Sequence, residues 1–256
     1  MYKQNLVATD LDGTLLDGGR KLSDEAVKAF ADLNELDVIT SVITSRPDRF
    51  TKDIAHKLGC NAYACNNGAE IYRNGELFYK SHLSDDFVRE FTEKLMYHFP
   101  DMMIGAEAGG RFYANYNMLS FWDKEVPERC DFPKFPFTSA SKLIIKAENS
   151  SDLATVSSFI DASDVHLELA HQVIILTTSE ATKGKALSRI AASYGIDKEN
   201  TFVFGDDIGD LEMMRISGHP FCVENGHPML KEEAVVIPSN TLGGVVTAIK
   251  KYIIGG

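Results

Sequence analysis

Long apolar runs, basic charge and paired cysteines are what this sequence has least of. No stretch of about 18 apolar residues occurs, so no membrane-spanning helix is expected. Met1-Tyr2-Lys3-Gln4-Asn5 leads straight into an apolar segment with no signal-peptide core or cleavage site, and a cytoplasmic location is the expectation. Lys and Arg total 26 against 37 Asp and Glu, a net charge of −11. That balance argues against nucleic acid or an anionic membrane as the main partner. An acidic protein still binds phosphate locally where a cation and a few donors are placed. The four cysteines (Cys60, Cys65, Cys130, Cys222) form no Cys-x-x-Cys pair and have no histidine at zinc spacing, which points to free thiols in a reducing compartment. Internal repeats and low-complexity tracts are absent too. What remains is an ordinary globular composition, 44% apolar and 25% charged over 256 residues, long enough for two domains.

Acidic and hydroxyl side chains recur at the carboxyl ends of apolar runs. The first is Leu6-Val7-Ala8, a strand buried on both faces, followed by Thr9-Asp10-Leu11-Asp12-Gly13-Thr14. Residues i and i+2 of extended or turning chain lean to the same side, so Asp10 and Asp12 can face one point, and Gly13 permits a sharp turn beyond them. Taken alone, the stretch reads equally as an acidic surface turn. Ser23-Asp24-Glu25 opens a helix faced by Ala26, Val27, Phe30 and Leu33. A strand over 38–43 ends in Thr44-Ser45-Arg46-Pro47, and Pro47 suits the first turn of a helix faced by Phe50, Ile54 and Leu58 and closed by Gly59. Ala62 to Cys65 is a third strand, and Asn74-Gly75 between apolar runs marks a hairpin.

From about residue 81 strands come next to one another instead of alternating with helices. A helix from Ser84 through Phe87, Phe91, Leu95 and Phe99 stops at Pro100. Strands follow near 102–106, 112–116, 143–145, 165–169 and 173–176, with a helix over 152–160. This reads as an α+β unit, residues 81–180, inserted into an α/β domain formed by residues 1–80 and 181–256. The expected fold is thus a doubly wound, Rossmann-like, mainly parallel sheet with an inserted α+β domain. After the insertion Lys183-Gly184-Lys185 opens a helix closed by Gly195. Thr201-Phe202-Val203-Phe204 is a buried strand ending in Gly205-Asp206-Asp207-Ile208-Gly209-Asp210, and two short strands and a helix complete the chain.

The chemistry lies in the set Asp10, Asp12, Thr44, Lys183, Asp206 and Asp210. Converging carboxylates suit a hard, oxygen-seeking ion such as Mg²⁺. Thr44 offers a hydroxyl and Lys183 a positive charge for phosphate oxygens. At an effective dielectric near 20, a charge about 4 Å away is worth roughly 4 kcal/mol. A carboxylate beside such a phosphate can act as a nucleophile while its neighbour moves a proton.

In order and character, Asp10-Leu11-Asp12-Gly13-Thr14, Thr44, Lys183 and Gly205-Asp206-Asp207-Ile208-Gly209-Asp210 resemble the four motifs of the haloacid dehalogenase-like (HAD) hydrolase superfamily, and the chain looks like its Cof-type sugar-phosphatase branch. The resemblance implies Asp10 as the nucleophile that forms an aspartyl-phosphate and Asp12 as the acid/base. It implies Thr44 and Lys183, with the backbone of Leu11 and Ser45, as holders of the phosphoryl oxygens. Mg²⁺ would be ligated by Asp10, the Asp12 carbonyl and Asp206, with Asp210 supporting; Asn225, in Val223-Glu224-Asn225-Gly226, is a secondary phosphate candidate. The gap of 139 residues between Thr44 and Lys183 places the inserted cap there, as in the family's C2-capped members, where it would close over the site as a lid. The implied activity is Mg²⁺-dependent hydrolysis of a small phosphorylated metabolite, with a phosphomutase or a non-catalytic phosphosugar sensor as rivals. Oligomeric state is not legible. Two departures stand out: Ser45 where the family often has Gly, and Gly209 where it often has Asn.

Plainer readings accompany each residue. Lys183 alone is a solvated helix-start lysine, Asp207 a solvated neighbour, Arg46 a donor to a loop carbonyl, and Arg20 and Lys21 turn charges. Arg111, Tyr113, Tyr116, Trp122, His166 and His171 are pocket candidates that read as cap surface or cap core. An EF-hand is excluded because Leu15 and Lys21 occupy the positions that need Gly and Glu. Lys183-Gly184-Lys185-Ala186 lacks the first glycine and the hydroxyl of a P-loop. A phospho-receiver domain needs an Asp at a strand end between Asp12 and Thr44, and would leave the insertion unexplained.

Overall fold

The computed structural model describes residues 4–115, 126–147, 150–160, 164–170 and 172–255. The chain divides into two compact units, residues 1–79 with 182–256, and residues 80–181.

In the first unit, β1 (Leu6–Thr9) is buried along its whole length, as its apolar run requires. The Ser23 hydroxyl accepts the Ala26 N–H at 3.1 Å and starts α1 (Asp24–Glu35), which leads to β2 (Ile39–Ile43). Then comes α2 (Asp48–Leu58), where Pro47 is the N-cap residue and not a first-turn residue. The buried face of α2 is Thr51, Ala55 and Leu58, one position on from the expected Phe50 and Ile54. Thr51 donates its hydroxyl to the Pro47 carbonyl at 3.0 Å, which lets a short polar side chain face inward. After β3 (Ala62–Cys65), β4 (Glu70–Arg73) and β5 (Glu76–Lys80) form the hairpin on Asn74-Gly75.

The second unit follows. It comprises β6 (Leu83–Ser84), α3 (Asp85–His98), β7 (Ile104–Ala108), β8 (Arg111–Ala114), β9 (Glu128–Arg129), β10 (Ser139–Ala140), β11 (Lys142–Lys146), α4 (Ser150–Ser157), β12 (Val165–Ala170) and β13 (Val173–Thr178). Among the described residues its main sheet has the order β12-β13-β11-β7-β8-β9, antiparallel except for β8 with β9. Leu83, Val88, Phe91, Leu95, Leu143, Ile145 and Leu176 pack together between this sheet and α3. The Ser84 hydroxyl caps α3 through the Phe87 N–H. Phe99 falls one residue past the helix and is exposed, so the apolar face ends at Leu95. Strands expected near 102 and 112 start at Ile104 and Arg111.

The first unit resumes with α5 (Lys183–Tyr194), β14 (Thr201–Gly205), α6 (Leu211–Ile216), β15 (His219–Val223), α7 (Pro228–Glu233), β16 (Val235–Ile237) and α8 (Gly244–Ile249). Among the described residues its sheet runs β16-β15-β14-β1-β2-β3-β4-β5, parallel from β16 to β3, with β4 antiparallel to β3. Alternation along each strand sends side chains to two cores. Val7, Phe30, Leu33, Val42, Phe204 and Ile249 lie on one side, and Leu6, Ala8, Ile43, Leu187, Ile190 and Val203 on the other. Each of these Val, Leu, Ile and Phe side chains contributes roughly 1.5–3 kcal/mol by leaving water. The doubly wound order reverses between β1, which leads outward to β2 and β3, and β14, which leads to β15 and β16. In open α/β sheets that switch point is where ligands gather, at the strands' carboxyl ends. No disulfide joins the four cysteines. Among the described residues no helix is long and apolar enough to cross a membrane.

Candidate active site

Asp10 stands at the switch point. Its backbone N–H continues the parallel ladder by donating to the Phe204 carbonyl at 3.0 Å, which fixes the carboxylate beside the end of β14, and the residue is buried. The chain then turns tightly. Leu11 sends its side chain into the core, so only its main chain is left to face a ligand. Gly13 has φ +79°, and a Cβ there would overlap the Asp206 carboxylate. The Thr14 hydroxyl donates to Asp206 Oδ1 at 2.6 Å, joining the turn after β1 to the end of β14.

Asp12 is gripped from the second strand end. Arg46 donates from its Nε to Asp12 Oδ2 and from a terminal nitrogen to Oδ1, both at 2.6 Å, with the more exposed Arg20 at 3.7 Å. The expectation that Arg46 bonds a loop carbonyl missed this. A bidentate guanidinium–carboxylate pair fixes the plane of the carboxylate as well as its position. Thr44 is buried, and its hydroxyl accepts the Arg46 N–H at 3.2 Å; Ser45 between them is partly exposed.

The loop after β3 ties this strand end to the helix that carries Lys183. Asn66 and Asn67 donate their N–H groups to the Arg46 and Thr44 carbonyls at 2.8 and 3.1 Å. Gly68, with φ +94°, lies so close to α5 that a Cβ would sit 2.6 Å from the Thr182 carbonyl oxygen. Thr182 caps α5, and Lys183 is its first residue. The Lys183 ammonium is buried, 2.8 Å from Asp10 Oδ1 and 2.6 Å from Asp210 Oδ1, in contrast to the solvated reading of a helix-start lysine.

Asp210 is fully buried, and its second oxygen accepts the N–H groups of Asp206 and Asp207 at 2.9 and 3.1 Å. With both oxygens engaged, it holds the Asp206 loop and Lys183 in place. Asp207 is exposed and caps the turn that follows through the Ile208 N–H. Oxygens of Asp10, Asp206 and Asp210 lie within 4.8 Å of one another. Asn225 donates to the Gly13 carbonyl at 2.8 Å and accepts the Asn240 N–H at 3.0 Å, so its side chain bridges the turn after β1 and the Asn240 loop.

Electrostatics follow from this crowding. Burial pushes the Asp10 carboxyl well above the ordinary range; Lys183 opposes the shift, and Asp210 and Asp206 add to it. Asp206 is raised to about 6 by burial and by Asp210, against the pull of the Thr14 hydrogen bond and Lys183. Burial acts to lower Lys183, but Asp10 and Asp210 outweigh it and keep the ammonium protonated. Three carboxylates around one ammonium leave an excess of negative charge among oxygen donors. That donor set fits a hard divalent cation.

Of the pocket candidates in the inserted unit, Arg111 is an exposed partner of Glu128, and Tyr113 packs against Phe137 at 4.5 Å in that unit's core. His166 is exposed on β12. Tyr116, Trp122 and His171 lie outside the described residues.

Comparison with known proteins comes out on the same ground. The chain is 25% identical to a phosphoglycolate phosphatase of Methanothrix thermoacetophila over 93% of this chain and 91% of that protein. It is 22% identical to a 5-amino-6-(5-phospho-D-ribitylamino)uracil phosphatase of Bacillus subtilis over 97% and 98% of the two chains. The solved structure of a HAD subclass IIB sugar phosphatase superposes with a TM-score of 0.83 at 17% identity, covering 97% of this chain and 99% of that one, a likeness of fold. The sequence profile of haloacid dehalogenase-like hydrolases spans residues 7–249, nearly the whole chain with all four motifs inside it. The chain therefore belongs to the haloacid dehalogenase-like hydrolase family.

Proposed function

We propose that this protein is a Mg²⁺-dependent phosphatase that hydrolyses small phosphate monoesters, sugar phosphates foremost, through an aspartyl-phosphate on Asp10. The observation that carries the proposal is the buried Asp10 carboxylate, one oxygen held by Lys183 at 2.8 Å and the other left to react, beside Asp206 at the switch point. The relatives named above act on small phosphorylated metabolites, which supports the substrate class.

In the first step an Asp10 oxygen bonds to phosphorus as the ester bond breaks, and Asp12 gives its proton to the departing oxygen. In the second, Asp12 takes a proton from water as that water bonds to phosphorus, the Asp10–phosphorus bond breaks, and inorganic phosphate leaves. An ammonium has three N–H donors, and Lys183 spends two on Asp10 and Asp210, so one remains for a phosphoryl oxygen. Thr44 and the backbone of Leu11 and Ser45 serve the other oxygens, and Asn225 steadies the turn at Gly13. Arg46 holds Asp12 toward the reacting oxygens. Asp10, Asp206 and the Asp12 carbonyl would hold Mg²⁺, with Asp210 supporting; when bound, the ion supplies positive charge against the phosphoryl oxygens. Residues 1–80 and 181–256 are assigned as the catalytic domain of a cytoplasmic enzyme, and residues 81–180 as a C2-type cap domain that selects the leaving group.

Phosphate release from p-nitrophenyl phosphate and from a panel of phosphorylated metabolites, with and without Mg²⁺, tests the proposal. Release that needs Mg²⁺ and falls to background in Asp10→Asn is expected. Turnover that survives Asp10→Asn contradicts the nucleophile, and no release from any ester contradicts the phosphatase.

A further inference from the structure

The outer edge of the first unit's sheet is a strand whose sequence is complementary to itself. β5, Glu76-Leu77-Phe78-Tyr79-Lys80, is the last strand on its side, and among the described residues none pairs beyond it. Exposed sheet edges are ordinarily blunted by proline, bulges or charged side chains. β5 has no proline, and its two charges are of opposite sign and sit at its two ends, while Leu77 is 52% and Phe78 47% exposed between them.

The hairpin turn fixes which backbone groups face outward. Asn74 and Gly75 both have positive φ, 51° and 82°, the signature of a two-residue type I′ turn. In such a hairpin the closing residues, Arg73 and Glu76, exchange hydrogen bonds. Glu76, Phe78 and Lys80 therefore direct their backbone groups toward β4, and Leu77 and Tyr79 direct theirs away from the sheet.

We propose that this edge pairs with the same edge of a second copy of the chain, antiparallel about a two-fold axis at Phe78. In that register Leu77 lies opposite Tyr79 of the second copy, so the outward N–H and C=O groups of both meet. Phe78 lies opposite its own counterpart at a non-hydrogen-bonded position, where side chains come closest. Glu76 lies opposite Lys80 at both ends, giving two ion pairs on the same face as Phe78. A shift by one residue sets outward groups against inward ones. A shift by two leaves either Glu76 or Lys80 overhanging and places the other opposite Phe78. One register alone satisfies both hydrogen bonding and charge. Tyr79 is already seated, with the Arg189 guanidinium 4.0 Å from its ring centre, so the edge is ordered before pairing. A five-residue strand pair buries less than the roughly 1,000 Å² of a lasting interface. The dimer is therefore weak and concentration-dependent.

Sedimentation equilibrium of the full chain, from about 5 to about 500 μM, reads the association. A reversible monomer–dimer equilibrium is expected. Glu76→Lys sets two lysines against each other at both ends, and Lys80→Glu sets two glutamates against each other. Each variant alone should dimerise about tenfold more weakly. Mixed together they should associate as the parent does. At one end the lysine introduced at position 76 of one variant then meets the glutamate introduced at position 80 of the other, and at the other end the native Lys80 meets the native Glu76. Circular dichroism and p-nitrophenyl phosphate turnover should be unchanged in both, since neither residue belongs to the proposed site. A wild-type chain that stays monomeric throughout overturns the proposal. So does a dimer insensitive to both substitutions, or a mixture that fails to recover association.

Discussion

Arg46 is the residue whose contact changes the account most. In the proposed mechanism the Asp12 carboxyl alternates between giving and taking a proton and has to be held in one orientation, and the fork of Arg46 supplies that at 2.6 Å on each oxygen. Positioned proton transfer contributes about 10²–10⁴ in rate. Arg46→Met is predicted to lower kcat by about ten- to a hundredfold, with KM for p-nitrophenyl phosphate falling alongside it because the second step becomes limiting. That substrate has a good leaving group, so the first step survives better than the second. Rapid-mixing kinetics on the variant should then show a burst of p-nitrophenolate approaching one per active site. Arg46→Lys, which keeps charge but loses the fork, should recover only part of the rate. A variant with unchanged kcat and a raised KM would mean that Arg46 binds substrate instead of positioning Asp12. The sequence displayed Asp12 and Arg46 separately, 34 residues apart, and no periodicity or spacing rule joins a side chain in one loop to a side chain in the next. The burial of Lys183 escaped for the same reason: its two partners, Asp10 and Asp210, lie 173 and 27 residues away.

At the level of elements, the legible part was whatever local chemistry dictates. The apolar runs of β1, β2, β3 and β14 ended in polar residues at the expected places because a parallel strand buried on both faces is built mainly from apolar residues. The Ser23 and Ser84 caps and the left-handed glycines after α2 and α5 were likewise visible, since each acts within a few residues. The α2 face was displaced because Thr51, polar on any scale, satisfies its hydroxyl on the backbone and turns inward. The joints between loops were not legible. Gly13 is one such joint, since its left-handed backbone and missing Cβ together admit the Asp206 carboxylate. Gly13→Ala is predicted to cost more than the usual Gly-to-Ala strain, because Asp206 must move, and with it the Thr14 hydrogen bond at 2.6 Å. Phosphatase activity should fall at least about a hundredfold while far-ultraviolet circular dichroism stays native. Wild-type activity in Gly13→Ala would show that the approach is dispensable.

For the whole molecule, the excess negative charge at the switch point is predicted to couple stability to pH and to divalent cations. Asp206 titrates near 6 in the folded chain, above the value of an unfolded aspartate. The folded state therefore binds this proton more tightly than the unfolded state. Between the two values the native chain holds a proton that the unfolded chain has lost, so the contribution of this group to stability declines as pH rises from about 4 through about 6. Asp10 acts in the same sense. A divalent cation bound by these carboxylates would compete with those protons and stabilise the folded state by mass action, about 2.7 kcal/mol at a hundred times its dissociation constant. Scanning calorimetry with Mg²⁺ and with chelator should show a larger Mg²⁺-induced rise in Tm at about pH 7 than at about pH 5. Equal increments at both would contradict the coupling. The switch-point topology was within reach of the sequence, because alternating strands and helices with a long second gap admit few arrangements. The pairing of β5 with a second copy was not, because it depends on which edge the hairpin leaves open.

The central claim, that Asp10 carries the phosphoryl group, is tested most directly by trapping it. Asp12→Asn removes the proposed base for the attacking water, so the covalent form should accumulate when the variant meets substrate with Mg²⁺. Acid quenching followed by peptide mass spectrometry should place one phosphoryl group on the peptide containing Asp10, and the label should disappear in Asp10→Asn/Asp12→Asn. A phosphoryl group on any other residue, or steady turnover in Asp10→Asn with no covalent form, would contradict the account.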